Sequence, residues 1–85
     1  MGKAYFVKVH GESPVWGTLT DDIASFPAGS LDIKTVEVIE AALGLLRARD
    51  SVECTYEDWG RKVTVYTRKP AGWVEPNIIE RAWRK

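Results

Sequence analysis

Apolar and polar positions alternate with a period of two on both sides of a central stretch, where the spacing changes to that of a helix. Ala4-Tyr5-Phe6-Val7-Lys8-Val9-His10 is rich in aromatic and β-branched residues and predicts a strand. Tyr5, Val7 and Val9 share one face of it; Phe6, Lys8 and His10 share the other. Gly11-Glu12-Ser13-Pro14 supplies turn chemistry, and Val15-Trp16-Gly17-Thr18-Leu19 returns as a second strand. Thr20 or Asp21 is then expected to cap a short helical turn through Phe26, with Pro27-Ala28-Gly29-Ser30 as a connector.

Ser30 or Asp32 caps one long helix from about Ile33 to Arg49, roughly 25 Å at 1.5 Å per residue. Placed at 100° per residue, Val36, Ile39, Leu43 and Leu46 form an apolar stripe that Val38, Ala42 and Leu45 widen to about half the circumference. Lys34, Glu37, Glu40 and Arg47 fall on the remaining arc with Ala41, Gly44 and Ala48. A stripe so broad predicts contact with more than one sheet face. Gly44 costs about 1 kcal/mol relative to Ala, so the small-residue strip marks either a close approach of another element or a tolerated exposed glycine.

Residues 51–59 and 61–69 predict a β-hairpin. With Trp59-Gly60 as a two-residue turn, Asp58 faces Arg61 and Glu57 faces Lys62. The same register sets Val52, Cys54 and Tyr56 opposite Thr67, Val65 and Val63 on one face. Glu53, Thr55 and Glu57 then oppose Tyr66, Thr64 and Lys62 on the other. Charge pairing and apolar alternation agree on this one register. Pro70 ends the strand, Ala71-Gly72 turns the chain, and Glu75-Pro76 predicts the start of a short C-terminal helix that groups Ile79, Ala82 and Trp83.

The fold class read from these elements is α+β in the order β-β-α-β-β-α. It is a single domain over residues 1–85, with an antiparallel sheet of two hairpins packed on one long helix. The sheet face away from the helix is expected to present Phe6, Lys8, His10, Trp16, Thr64, Tyr66 and Arg68.

Eighty-five residues, 45% of them hydrophobic and 28% charged, fit one globular domain and argue against disorder. A chain this short buries only about 60–65% of its unfolded surface, which disfavours a large pre-formed small-molecule pocket. Four Trp in this length is a high number. Indole is large and favoured where one edge stays wet, so some of these rings are expected at a surface or interface. The single Cys54 excludes an internal disulfide and a Cys-rich zinc site. No signal-peptide pattern opens the chain and no apolar run approaches a membrane span, so a cytoplasmic, non-membrane protein is expected.

Net charge is zero but unevenly spread: residues 61–85 hold seven basic residues against Glu75 and Glu80. That asymmetry hints at an acidic partner. Tyr66, Arg68, Lys69, Arg81, Arg84 and Lys85 are the nucleic-acid-binding candidates, with rings for stacking and cations for phosphate. The bland reading is that cations near a helix C-terminus complement its dipole and that hairpin cations are solvated. Glu53 and Glu57 on the same face repel phosphate. Lone His10 beside Glu12 is a general-base candidate, yet the neighbouring Ser13 belongs to the turn chemistry, and Cys54 falls on the predicted core face. Asp21-Asp22 reads as a cap rather than a metal site.

Two family likenesses carry expectations. The Tyr5-Phe6-Val7-Lys8-Val9 stretch loosely resembles a strand of RNA-recognition-motif domains, although residues 61–69 lack that family's aromatic-glycine motif. The run Tyr5 to Phe26, with Val15-Trp16-Gly17-Thr18-Leu19-Thr20-Asp21-Asp22-Ile23, is similar to the opening hairpin of HicB-like antitoxins. That resemblance implies a partial RNase H-like fold that neutralises a small RNase toxin. It covers about a quarter of the chain, and Ala24-Ser25 stand where the family usually has Pro-Gly.

The sequence therefore predicts a non-catalytic protein-interaction module without cofactor or metal: an adaptor, inhibitor or regulatory partner that binds another protein or forms a homodimer. Phe6, Trp16, Tyr66, Trp73 and Trp83 are its expected anchors. The alternative is a nucleic-acid-binding accessory domain built on the aromatic and basic residues named above.

Overall fold

A computed structural model describes residues 3–20, 23–75 and 79–83, the last span for its backbone alone. The elements are β1 (Tyr5–Val9), β2 (Val15–Leu19), β3 (Ile23–Pro27), α1 (Ile33–Arg49), β4 (Glu53–Asp58), β5 (Arg61–Tyr66) and β6 (Ile79–Trp83). Among the described residues they form one antiparallel sheet, in the order β4-β5-β1-β2-β3-β6, and one helix. The α+β class, the antiparallel hairpins and the single long helix follow the sequence pattern.

Two predicted elements are replaced. Residues 23–27 form β3 instead of a helical turn. Ala24 and Phe26 are buried while Ile23 and Ser25 are not, the period of two that a half-covered strand requires. Thr20 does not cap a helix: its backbone N–H donates to Ile23 O at 2.8 Å, and its hydroxyl oxygen accepts from Ile23 N at 3.1 Å, closing the β2–β3 connection. The predicted C-terminal helix is likewise absent from residues 79–83, which pair with β3 from Ile79↔Pro27 to Trp83↔Ile23. Once β3 exists, it offers an edge of unpaired N–H and C=O groups. A five-residue segment gains more from that ladder than from an isolated helix too short to repay its nucleation. The expected helix start at Glu75-Pro76 falls partly on residues 76–78, outside the described residues.

The second hairpin has the predicted register throughout, from Glu53↔Tyr66 to Asp58↔Arg61. Trp59 and Gly60 both have positive φ, 55° and 72°, as a two-residue turn matched to the strand twist requires. Arg61, although it faces Asp58 in register, sends its guanidinium elsewhere. It donates to Asp32 Oδ2 at 2.7 Å, to Thr35 Oγ1 at 3.2 Å and to Trp59 O at 2.6 Å. Asp32 is the N-cap of α1, and its other carboxylate oxygen accepts from Thr35 N at 2.8 Å. One arginine thus ties the helix start to the start of β5. The Arg61 hydrogen bond, followed by those from Thr35, holds the Asp32 carboxyl far below the usual carboxylate range.

The helix lies over β4 and β5. Its buried face is Thr35, Val38, Ile39, Ala42, Leu43 and Leu46, close to the predicted stripe, with Val36 only half-buried. One helix, about 10 Å wide, cannot cover six strands at about 4.8 Å spacing. The covered side of β2 and β3 is closed partly by the sheet's own side chains. The Phe26 ring lies directly over Gly17, where a Cβ would overlap it. Leu19, Phe26, Ile39, Val63 and Val65 belong to one core, against which Leu31 packs from the β3–α1 link. Gly44, by contrast, faces open space, which selects the tolerated-glycine reading.

These contacts set two expectations for stability. Gly17→Ala forces the Phe26 ring out of place and destabilises by about 1–3 kcal/mol, whereas Gly44→Ala stabilises by up to about 1 kcal/mol; urea unfolding of both variants checks the opposite signs. Because folding lowers the Asp32 pKa, its stabilisation is complete above about pH 4 and is lost as pH falls through the folded-state value. Acid unfolding of Asp32→Asn is therefore less steep below pH 4 than that of the wild type.

Candidate interaction surface

Residues that alternate with the core set project from the sheet face away from α1. Register places Glu53, Tyr66, Phe6, Thr18 and Ser25 in one row across five strands. The next row holds Thr55, Thr64, Lys8 and Trp16. Three of the five predicted anchors, Phe6, Trp16 and Tyr66, therefore share this face.

A fourth, Trp73, arrives from outside the sheet. After β5 the chain turns at residues 70–73, where Trp73 N donates to Pro70 O at 3.2 Å and Gly72 adopts φ 87°, a conformation that suits glycine. The turn brings the Trp73 indole edge-on to Phe6, with centroids 5.3 Å apart and planes at 82°. Its Nε1–H donates to Gly17 O at 3.1 Å. Trp73 thus covers one edge of Phe6. The Trp83 backbone lies in β6, and its side chain is outside the description. Two ammonium groups accompany the rings: Lys8 Nζ lies 5.3 Å from the Trp16 centroid and Lys69 Nζ lies 5.2 Å from that of Trp73. Trp16 and Tyr66 stay half-buried, Ile23 on the same face is 40% exposed, and Val74 beside Trp73 is 60% exposed.

The middle of this face is held by a polar chain that sequence reading did not single out. His10 Nε2 lies 2.8 Å from Thr64 Oγ1, which lies 2.7 Å from Thr55 Oγ1, linking β1, β5 and β4. The opposed Thr pair was legible in the hairpin register; the reach of His10 required the β1–β5 pairing. Thr64 is only 3% exposed, with its hydroxyl engaged on both sides, so it is not placed to attack a substrate. Partial burial, then the charges of Lys8 and Lys62, lower the His10 pKa. Among the described residues no group of three or more His, Cys, Asp and Glu side chains is arranged to hold a metal ion.

The described basic candidates lie at two separate places across the sheet. Arg68 and Lys69 are exposed just beyond β5. Arg81 lies in β6, four strands away or roughly 19 Å, and Arg84 and Lys85 lie outside the described residues. A cleft of about 560 Å³ at the C-terminal end of α1 has a mainly polar lining of Lys3, Arg47, Asp50, Ser51 and Thr67 around Tyr5, Leu46 and Val52. Apolar linings are the rule for small-molecule sites. No helix among the described residues is long and apolar enough to cross a membrane.

No protein-family model, curated protein or solved structure matches this chain. The likenesses of β1 to RNA-recognition motifs and of the opening hairpin to HicB-like antitoxins therefore assign no family.

Folding favours neutral His10, so its contribution is complete above about pH 6.5 and is lost as pH falls through the lowered folded-state value. Imidazole NMR titration is expected to give a midpoint below 6.5 that moves upward in Lys62→Gln.

Proposed function

We propose that this chain is a non-catalytic protein-interaction module that binds through the open sheet face. The observation that carries the reading is the gathering of Phe6, Trp16, Tyr66 and Trp73 on the one broad face that the helix leaves uncovered. Rings of this size dominate interface energies when a partner desolvates them. The T-shaped Phe6–Trp73 contact and the Trp73 hydrogen bond hold two of them in place before binding, so little ordering entropy opposes association. Trp16, half-buried beneath Lys8, is the central anchor, and Ile23 extends the apolar area. The occupant is a protein surface, either a different chain or a second copy, and the role is that of an adaptor, inhibitor or regulatory partner.

A second reading, single-stranded nucleic acid, is favoured by the pairing of Lys8 with Trp16 and Lys69 with Trp73. It is opposed by Glu53 in the Tyr66 row and by the distance of four strands from Lys69, just beyond β5, to Arg81 in β6.

Sedimentation over a wide concentration range, combined with acrylamide quenching of Trp emission, tests the first reading. Trp16 is expected to be quenched in the lone chain and shielded in the complex, and Trp16→Ala weakens association by about tenfold or more without lowering Tm. A strictly monomeric chain in which the Trp16 emission, identified by its loss in Trp16→Ala, resists quenching would overturn it; Trp59, 56% exposed and outside the open face, is quenched in either case. For the second reading, retention on immobilised oligothymidine must fall steeply between low and moderate salt.

A further inference from the structure

The outer edge of β4 carries a second surface, separate from the aromatic face. We infer that this edge, with the groove between β4 and α1, takes an extended basic segment of another protein as an added antiparallel strand.

Backbone phase comes first. The two-residue turn makes Asp58↔Arg61 a hydrogen-bonded pair, and alternation continues to Val52, whose carbonyl accepts from Thr67 N at 2.9 Å. The N–H and C=O groups of the intervening Glu53, Thr55 and Glu57 consequently point away from β5, along an edge of the sheet that no other described strand pairs. They are a template for a seventh strand.

Beside them lies a groove of about 190 Å³, with Glu37, Val38 and Ala41 of α1 on one wall and Tyr56, Asp58 and Trp59 on the other. Its lining includes no residue of β5, so it opens on the outer side. The opposite flank of the helix faces inward, where Arg47 lies 5.7 Å from the Tyr5 ring of β1. Ala41, Leu45 and Ala48 follow one another along the outer flank, with Leu45 half-buried against the core and two short alanine side chains beside it. Trp59, 56% exposed, closes the groove at the turn and holds Lys34 Nζ 4.3 Å from its ring centroid.

Charge selects the occupant. Glu37, Glu53, Glu57 and Asp58 are all exposed here, against Lys34 on the Trp59 ring and Lys62 opposite Glu57. Two copies paired through β4 about Thr55 would set Glu53 directly against Glu57, a repulsive cross-strand pair. The same carboxylates that oppose this self-paired register favour a cationic strand. Its side chains opposite Glu53 and Glu57 are Lys or Arg, and the one opposite Thr55 is Thr or Val. Those opposite Cys54 and Tyr56 turn toward α1 and are apolar.

The test uses the full chain and an array of immobilised heptapeptides whose five central positions are drawn from Lys, Arg, Glu, Thr, Val and Ile. Retained peptides are expected to carry Lys or Arg at the first and fifth central positions, with apolar residues at the second and fourth. Adding a retained peptide to the chain in solution slows amide exchange at Glu53, Thr55 and Glu57. The double variant Glu53→Lys with Glu57→Lys weakens that peptide by about tenfold or more and shifts the array preference to Glu at the same two positions, a change only a folded chain can show. Trp16→Ala leaves the binding unchanged, which separates this surface from the open face. An array without preference for basic over acidic peptides, a preference that survives the double reversal, or unprotected amides at the three edge residues would each overturn the inference. So would protection of those amides in the peptide-free chain that rises with its own concentration.

Discussion

The pairing of β1 with β5 joins two strand systems that the helix separates in sequence. Before it forms, β1-β2-β3 is a meander with one apolar side, and β4-β5 is a hairpin with the helix folded on it. Neither alone buries its apolar face. The ladder from Phe6↔Tyr66 to Val9↔Val63 turns them into one sheet and places Val7 beside Val65 at the centre of the core. It also brings His10 to Thr64 and Phe6 to Tyr66, so both the polar chain and the aromatic row depend on it.

The two faces of that sheet meet opposite fates because the described residues form only one helix. On the covered side, α1 shields β4 and β5, and the Phe26 ring packed on Gly17 helps close the rest. On the other side, among the described residues, a short turn delivers one indole, which shields Phe6 edge-on and spans only a small part of a six-stranded surface. Trp16, beneath the Lys8 ammonium, and Tyr66 remain half-buried. The two edges differ as well: β6 pairs with β3 and forms one edge of the sheet, while β4, lined with carboxylates, forms the other among the described residues.

Local chemistry was legible wherever it repeated over several residues. The helix from Ile33 to Arg49 and the register of the second hairpin are as the alternation and caps predict, because each rests on neighbours in sequence. The open face was legible by parity, which assigned Phe6, Trp16 and Tyr66 to one side. Thr20 and Asp21 carried a capping signal that misled, since a Thr beside Asp suits a tight strand connection as well as a helix start. Five residues, Ile23 to Pro27, offered too few alternations to outweigh it. The C-terminal segment misled for a related reason: its strand depends on an edge that β3 alone creates.

The sequence by itself determined which residues prefer water, where the long helix begins and ends, and how one hairpin aligns, since these follow from hydrogen bonds and burial within a few turns of chain. The tertiary structure decided the strand order, the fate of residues 79–83, the crossing of Arg61 to Asp32 and the arrival of Trp73 over Phe6. Each of these joins groups far apart in the chain, and its free energy exists only once the intervening elements have folded.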